Sequence, residues 1–342
     1  MKRELGSLAT HRAYLKQPAK RGSVVPFPCA PSKVFATQVS GLVRRMKAIG
    51  CRDVLIGVSG GVDSALTLLV ADAAFERLGL DRQGIHVCTM PGFGTTRRTR
   101  GNAELLCEGL GLSVETIPIA GIVRRHLKEI GHDGTTPDVT YENAQARMRT
   151  MILMDKANMA GGIVLGTGDL SEVALGWCTF NGDHMAMFGV NSGVPKTVVR
   201  KVCDWWARRA MSPGRRTDSL AKAARAVLDI VATPVSPALV KGQVTEDRIG
   251  PYDLHDFFLW NFIMNEMGTK DLQTAAERYF GGESAGRRFD RATIRRTLQT
   301  FMHRFFTQAF KRNCAPDGVK VFPFDLSPHG WWIPSDLGVV KL

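Results

Sequence analysis

Apolar and polar residues alternate along the chain in blocks that predict short buried strands separated by helices. Four apolar runs have the length and composition of buried strands, at residues 53–58, 85–90, 114–119 and 163–166. The segments with helical spacing are 34–49, 62–79, 102–110 and 142–160. This alternation predicts an α/β fold with a doubly wound parallel sheet, in which ligands bind beyond the carboxyl ends of the strands.

The pattern changes after about residue 195, where helices predominate. We predict helices at 195–210, 217–231, 253–266, 270–280 and 290–312. The expected organisation is one domain over residues 33–342, with its core at 50–200 and a helical extension at 201–342.

Residues 1–32 differ from the rest because they are basic and irregular, with prolines at 26, 28 and 31 that stiffen the segment. We interpret them as a tail or the remnant of a linker. A transit peptide is the alternative, although the apolar spacing forms no convincing helix face.

Composition narrows the class of protein. The chain has 342 residues and is 44% hydrophobic, which is enough for a sizeable core. It contains no apolar run near the ~18 residues of a membrane span, and the lack of an apolar stretch at its N-terminus argues against secretion. Seven scattered cysteines without a C-x-x-C pair argue against a disulfide framework or a zinc site. We therefore expect a cytoplasmic protein.

The formal net charge of +13 raises the question of a nucleic-acid partner. Basic residues cluster at 97–100 and at 208–216, but neither cluster carries interleaved aromatic residues that could stack on bases. The alternatives are phosphate-rich small substrates or an ordinary solvated basic surface. The sequence therefore does not favour nucleic-acid binding.

The hexapeptide at 59–64, S-G-G-V-D-S, lies between a predicted strand and a predicted helix. A helix N-terminus presents backbone amides and the positive end of its dipole to anions, and glycines let phosphate oxygens approach the backbone. Ser59 and Ser64 add hydroxyl donors, and the Asp63 carboxylate can hold a magnesium ion. The hexapeptide therefore predicts an ATP phosphate site, and the alternative is a simple tight turn.

Three further stretches carry candidate chemistry. The sequence M-P-G-F-G-T-T at 90–96 has the composition of a mobile polar lid, or of a plain surface loop. In Y-E-N-A-Q-A-R at 141–147, Asn143 and Arg147 share one helix face and could reach a substrate phosphate or amide together. The alternative is an ordinary solvent-exposed start of a helix. In G-T-G-D-L-S-E at 166–172, Glu172 could share a magnesium ion with Asp63. The alternative is that this stretch is only a turn followed by a helix cap.

The hexapeptide S-G-G-x-D-S resembles the PP-loop of the ATP pyrophosphatases, which cleave ATP between its α- and β-phosphates. Together with the three later stretches, G-W-C-T at 176–179 and V-P-K-T at 194–197, it resembles NAD synthetase. The resemblance is greatest to the synthetase half of the large glutamine-dependent bacterial type and covers about residues 33–337.

The resemblance implies roles for particular residues. Asp63 and Glu172 correspond to the catalytic carboxylates that hold Mg²⁺. The ATP contacts correspond to Gly57, Ser59, Gly60, Gly61, Val62, Asp63, Ser64, Thr167, Lys196 and Ser236. The contacts to deamido-NAD correspond to Asn143, Arg147, Glu172, Trp177, Cys178, Thr179, Phe180, Asp183 and Lys311.

The implied reaction is the amidation of deamido-NAD to NAD with ATP, magnesium and ammonia, releasing AMP and pyrophosphate. The resemblance also implies a homodimer or a larger homo-oligomer. Alternatives are a weakly active or non-catalytic subunit that serves a separate glutaminase chain, another PP-loop amidotransferase, and a tRNA-modifying enzyme of the same class.

The chain departs from the family pattern in three places. The region before residue 33 is too short for the nitrilase-like glutaminase of the large enzymes, so we expect ammonia rather than glutamine as the nitrogen source. Arg97 stands where the family has an acid, and the segment 327–336 is one residue shorter than in the family and lacks its charged residues except Asp336.

Overall fold

A five-stranded parallel sheet forms the centre of the protein in a computed structural model. The model describes residues 24, 26–214, 217–235, 239, 244–281 and 288–327. The strands are β1 (Val54–Gly57), β2 (Ile85–Thr89), β3 (Val114–Thr116), β4 (Ile163–Gly166) and β5 (Phe188–Gly189). Their order in the sheet is β3-β2-β1-β4-β5, which confirms the doubly wound α/β prediction.

Strand β1 is the central strand because its residues are apolar on both faces. Val54 pairs with Ile85 of β2 on one side and with Ile163 of β4 on the other. The strand order reverses between β1 and β4, and in open α/β sheets a crevice for ligands forms at such a reversal, beyond the carboxyl ends of the strands.

The helices of the core precede residue 211. They are α1 (Pro31–Ile49), α2 (Val62–Leu78), α3 (Arg97–Gly109), α4 (Ala120–Glu129), α5 (Val139–Ala160), α6 (Leu170–Leu175) and α7 (Lys196–Ala210). They cover both faces of the sheet. Leu55 of β1 belongs to a buried cluster with Ala157 of α5, whereas its neighbour Ile56 belongs to the main core with Leu66 of α2.

The later helices are α8 (Asp218–Ala232), α9 (Thr245–Ile249), α10 (Tyr252–Met264), α11 (Thr269–Gly281), α12 (Arg291–Thr307) and α13 (Ala309–Arg312). Phe257 and Phe258 of α10 and Phe301 of α12 are fully buried and belong to the same main core as the sheet. Helix α10 also contacts α6 and α7, so this packing links the later helices to the site described below. Among the described residues, every helix is either too short or too polar to cross a membrane.

Several sequence predictions differ from the structure. The single helix predicted at 290–312 is wrong, because Gln308, with a ψ of 14°, separates α12 from α13. Helix α3 begins at Arg97 instead of 102, so the basic cluster forms its first turn. Helix α4 was not predicted, although Ile119, Val123 and Leu127 recur at intervals of four residues and are all buried, which is helical spacing.

Candidate active site

The loop between β1 and α2 has the geometry of an anion-binding helix N-terminus. Gly60 has a φ of 80°, a left-handed conformation that glycine adopts without strain. Gly61 is the N-cap of α2, and no side chain caps this helix. The Ser64 hydroxyl donates to the Gly61 carbonyl at 3.0 Å and so closes the turn. The start of α2 lines the cavity described below, and the amides of a helix N-terminus are suited to phosphate oxygens.

Three carboxylates from two helices meet beside this loop. Asp63 lies in the first turn of α2, whereas Asp169 is the N-cap of α6 and Glu172 lies three residues later. Asp169 and Glu172 form a capping box, in which the Glu172 amide donates to Asp169 Oδ1 at 2.8 Å. Ligand oxygens of the three residues lie within 4.8 Å of one another. We call Asp63, Asp169 and Glu172 the acidic cluster.

The side chain of Lys196, the first residue of α7, is the counter-ion of the acidic cluster. Its Nζ lies 2.6 Å from Asp63 Oδ2, 2.8 Å from Asp169 Oδ2 and 2.9 Å from Glu172 Oε1. The Lys196 side chain is fully buried. Burial alone would lower the pKa of Lys196, but the three carboxylates raise it well above its usual range. The lysine therefore stays protonated.

The carboxylates themselves are perturbed by burial. Burial raises the pKa of Asp169 well above its usual range and raises that of Glu172 to about 7, although the neighbouring Lys196 opposes both shifts. A removal of Lys196 would therefore leave buried carboxylates without a compensating charge.

The acidic cluster fits a magnesium ion in its chemistry. Carboxylate oxygens are the ligands that Mg²⁺ prefers. Asp63 Oδ1 and Asp169 Oδ2 are buried and accept no hydrogen bond from the described residues, so two ligand atoms are available, although Asp169 Oδ2 has an ion-pair contact with Lys196. Within the part of the chain that the structure describes, this is the one group of acidic, histidine or cysteine side chains with metal-ligand spacing.

A second part of the site is the loop 176–184, whose conformation is held by side chains from α5. Asn143 Oδ1 accepts a hydrogen bond from the Thr179 hydroxyl at 2.8 Å. Arg147 donates from two guanidinium nitrogens to the Phe180 carbonyl, both at 3.2 Å. Within the loop, the Thr179 amide donates to Asp183 Oδ1 at 2.7 Å. The helix face predicted from Asn143 and Arg147 therefore contacts this loop.

Three cations from the last two helices bind carbonyl groups at the C-terminal end of α6. Arg304 donates to the carbonyls of 175 and 176, Lys311 to those of 176 and 178, and Arg312 to that of 174. Burial lowers the pKa of Lys311 and of Arg304. These bonds satisfy the free carbonyls of a helix end and fix the loop that follows.

A cavity of about 860 Å³ joins the glycine loop, the acidic cluster and the loop 176–184. The predicted site residues that line it are Ser59, Gly60, Gly61, Val62, Asp63, Asn143, Glu172, Trp177, Cys178, Thr179, Phe180, Asp183 and Lys311. The structure therefore brings most of the predicted residues to one cavity.

The other predicted residues lie behind the cavity wall or outside the described residues. Gly57, Ser64, Arg147, Thr167 and Lys196 are not among the residues that line the cavity. The Thr167 carbonyl accepts a hydrogen bond from Asn191 at 3.2 Å. The predicted ATP contact at Ser236 falls outside the described residues, and all of these ligand contacts stay predictions.

Sequence reasoning missed three residues of the site. Asp169 could have been found, because an acid three positions before Glu172 is the signature of a capping box. Gln145 is buried and joins two segments of the cavity wall. It accepts from the Phe93 amide at 3.0 Å and donates to the Leu239 carbonyl at 3.1 Å. The partners of Gln145 and Arg304 are distant along the chain, so no local sequence pattern predicts these contacts.

With the substrates that the motif resemblance implies, Arg147→Ala is expected to weaken binding of deamido-NAD much more than binding of ATP. Without the guanidinium, the Phe180 carbonyl loses both hydrogen bonds, and bonds from a charged donor contribute about 1.5–3 kcal/mol. We expect the KM for deamido-NAD to rise at least about tenfold, with the KM for ATP nearly unchanged. Steady-state kinetics with each substrate varied in turn measures both values, and equal rises in both would contradict the prediction.

The fold and the site together define an α/β protein of the PP-loop class, in which a glycine loop lies at the reversal point of the sheet. The chain belongs to the NAD synthase family, because the model of that family matches residues 34–280. The resemblance found in the motifs is thereby confirmed.

A curated relative supports this membership. The chain is 37% identical over 330 residues to the glutamine-dependent NAD(+) synthetase of Mycobacterium leprae, an alignment that covers 89% of this chain and 48% of that protein. The chain therefore spans about half the length of the curated relatives it matches.

Solved structures share the fold. A glutamine-dependent NAD(+) synthetase from Cytophaga hutchinsonii is similar with a TM-score of 0.66 at 15% identity, covering 89% of this chain and 54% of that chain. The NMN synthetase from Francisella tularensis is similar with a TM-score of 0.60 at 22% identity, covering 84% of this chain and 98% of that chain. At these identities the likeness concerns the fold alone.

Proposed function

We propose that this chain catalyses the ATP-dependent amidation of deamido-NAD to NAD, with ammonia as the nitrogen source. The observation that carries the proposal is the shared cavity. The phosphate-binding N-terminus of α2, the acidic cluster and the loop 176–184 all face it. One cavity thus has room for a nucleoside triphosphate at the N-terminus of α2 and for a second substrate beside the loop 176–184.

The first step joins the two substrates. The nicotinate carboxylate attacks the α-phosphorus of ATP, an oxygen–phosphorus bond forms, and the bond between the α-phosphorus and the bridging oxygen of pyrophosphate breaks. The amides at the N-terminus of α2 would bind phosphate oxygens, while Asn143 and Arg147 hold the loop that positions the dinucleotide. The protein acts mainly by positioning its reactants.

The acidic cluster would hold magnesium, which when bound neutralises charge on the phosphates. In the second step ammonia attacks the acyl carbon of the adenylate, the bond from that carbon to the AMP oxygen breaks with its electrons on AMP, and the nitrogen gives up one proton to leave the amide. The chain then needs no nucleophile of its own, which agrees with the half-buried Cys178, whose pKa is raised above its usual range mainly by burial.

A synthesis assay tests the proposal. The purified chain is incubated with ATP, magnesium, ammonium and deamido-NAD, and NAD is measured by chromatography. Parallel reactions replace deamido-NAD by nicotinate mononucleotide or by xanthosine monophosphate, the acceptor of a GMP-forming amidotransferase. We expect amide product from deamido-NAD with one AMP per NAD. Product from another acceptor only, or from none, would contradict the proposal.

With ammonium, the rate of NAD formation should exceed that with glutamine by more than about tenfold, since release of ammonia from glutamine requires an activated nucleophile. The rate at fixed total ammonium should rise with pH toward about 9, because only unprotonated ammonia attacks the adenylate. Initial rates across pH, with glutamine as the parallel substrate, measure both effects. Equal rates from glutamine and ammonium would refute the nitrogen source proposed here.

A further inference from the structure

The acidic cluster already contacts a cation that belongs to the chain. We propose that Lys196 is the resident counter-ion of this cluster and that a divalent cation binds only when it displaces the Lys196 ammonium from the three carboxylates. This inference refines the metal site of the proposed function, but it rests on the contacts of Lys196 and can be tested without the synthetic reaction.

The first argument is geometric. An ammonium group has three N–H donors. Lys196 Nζ donates to Asp63 Oδ2 at 2.6 Å and to Glu172 Oε1 at 2.9 Å, and it lies 2.8 Å from Asp169 Oδ2, which accepts no hydrogen bond from the described residues. These are the oxygens on which a cation at the centre of the cluster would depend. Two positive charges at so short a separation in a buried site repel each other strongly. The ammonium and a metal ion therefore compete for the same place.

The second argument is that the lysine leaves the cluster incompletely satisfied. Asp63 Oδ1 is buried and receives no hydrogen bond from the described residues. Three carboxylates also offer more ligand oxygens than one ammonium can use. A hard divalent cation prefers several such oxygens. Exchange of the Lys196 ammonium for a divalent cation is therefore favoured once the lysine side chain moves away from the cluster.

The third argument concerns where the lysine goes. The Lys196 backbone amide is held by the Ser171 hydroxyl at 2.8 Å, whereas its side chain has a flexible four-carbon stem. Asp63 follows directly on the glycine loop, so phosphates bound at the N-terminus of α2 would bring negative charge next to the cluster. Phosphate would thus compete with the carboxylates for the ammonium. Metal and nucleotide should consequently enhance each other's binding.

Manganese binding tests this exchange without any substrate. Free Mn²⁺ is titrated by electron paramagnetic resonance against the full chain, the Lys196→Met variant and the control Lys156→Met. The control removes a lysine that is ion-paired with Glu115 at 2.7 Å, away from the cluster. We expect Lys196→Met to bind Mn²⁺ at least about tenfold more tightly than the unaltered chain, and the control to match the unaltered chain. An unchanged or weaker affinity in Lys196→Met would overturn the proposal.

A crystallographic measurement on the unaltered chain covers the case in which Lys196→Met does not fold. Anomalous scattering should show Mn²⁺ at the acidic cluster in crystals that also contain a non-hydrolysable ATP analogue, with Lys196 Nζ beyond hydrogen-bond distance of all three carboxylates. Bound Mn²⁺ with Nζ still contacting Asp63 and Glu172 would refute the exchange. A chain that exchanges its cation but makes no NAD would refute only the proposed function.

Discussion

Asp63→Asn should abolish NAD formation while the chain stays folded. The amide has the shape of the carboxylate but cannot supply its negative charge at the first turn of α2, where Asp63 Oδ1 is an available ligand atom. Loss of one such electrostatic contact costs about 10²–10³ in rate in well-studied enzymes. We therefore expect less than about a hundredth of the original rate, measured as NAD by chromatography.

The control for this variant is Asp72→Asn on the same helix. Asp72 is ion-paired with Arg82 at 2.6 Å and lies away from the cavity, so its loss should leave the rate nearly unchanged. Circular dichroism and thermal unfolding of both variants show whether the helix is intact. If Asp63→Asn kept more than about a tenth of the rate, the assignment of Asp63 to the reaction would be wrong.

Lys196→Met should lower the free energy of unfolding by about 3–5 kcal/mol, the usual cost of removing one partner from a buried ion pair. The methionine has a similar volume but leaves the acidic cluster without its cation. Urea unfolding followed by circular dichroism gives the value. Added Mn²⁺ should restore part of the loss, because a ligand that binds only the folded state stabilises it.

Lys156→Met is again the matched control. Its ion pair with Glu115 involves a partner whose side chain is 54% exposed, and such pairs contribute at most about 1 kcal/mol. Similar losses of stability in the two variants would show that the position of Lys196 among the carboxylates has no special energetic weight.

The sequence predicted the parts of this protein that depend on neighbours along the chain. The strand before Ser59, the glycines after it and the helix that starts at Val62 form one local unit, whose conformation follows from residue type. The face shared by Asn143 and Arg147 likewise follows from helical geometry. These local patterns were sufficient to place the glycine loop and the helix face that contacts the loop 176–184.

Contacts between distant segments could not be predicted in the same way. Lys196 stood in a recognised motif, yet nothing in its neighbours shows that its ammonium lies among three carboxylates from two other helices. The break at Gln308 was missed for a related reason, since residues 290–312 retain the composition of one continuous helix. Tertiary packing determines both the position of the Lys196 ammonium and the break at Gln308, and local helix propensity does not report on tertiary packing.

The cations at the end of α6 have a consequence for the synthesis of the protein on the ribosome. Helix α6 carries Glu172 but has only six residues, too few to be stable alone. Its terminal carbonyls at 174 and 175 are satisfied by Arg312 and Arg304, and Lys311 binds the carbonyls of 176 and 178 that follow. The sheet can therefore form early in translation, whereas the helix bearing Glu172 must wait for these residues, on the order of ten seconds later. A nascent chain that lacks these residues would expose the glycine loop before the acidic cluster is complete.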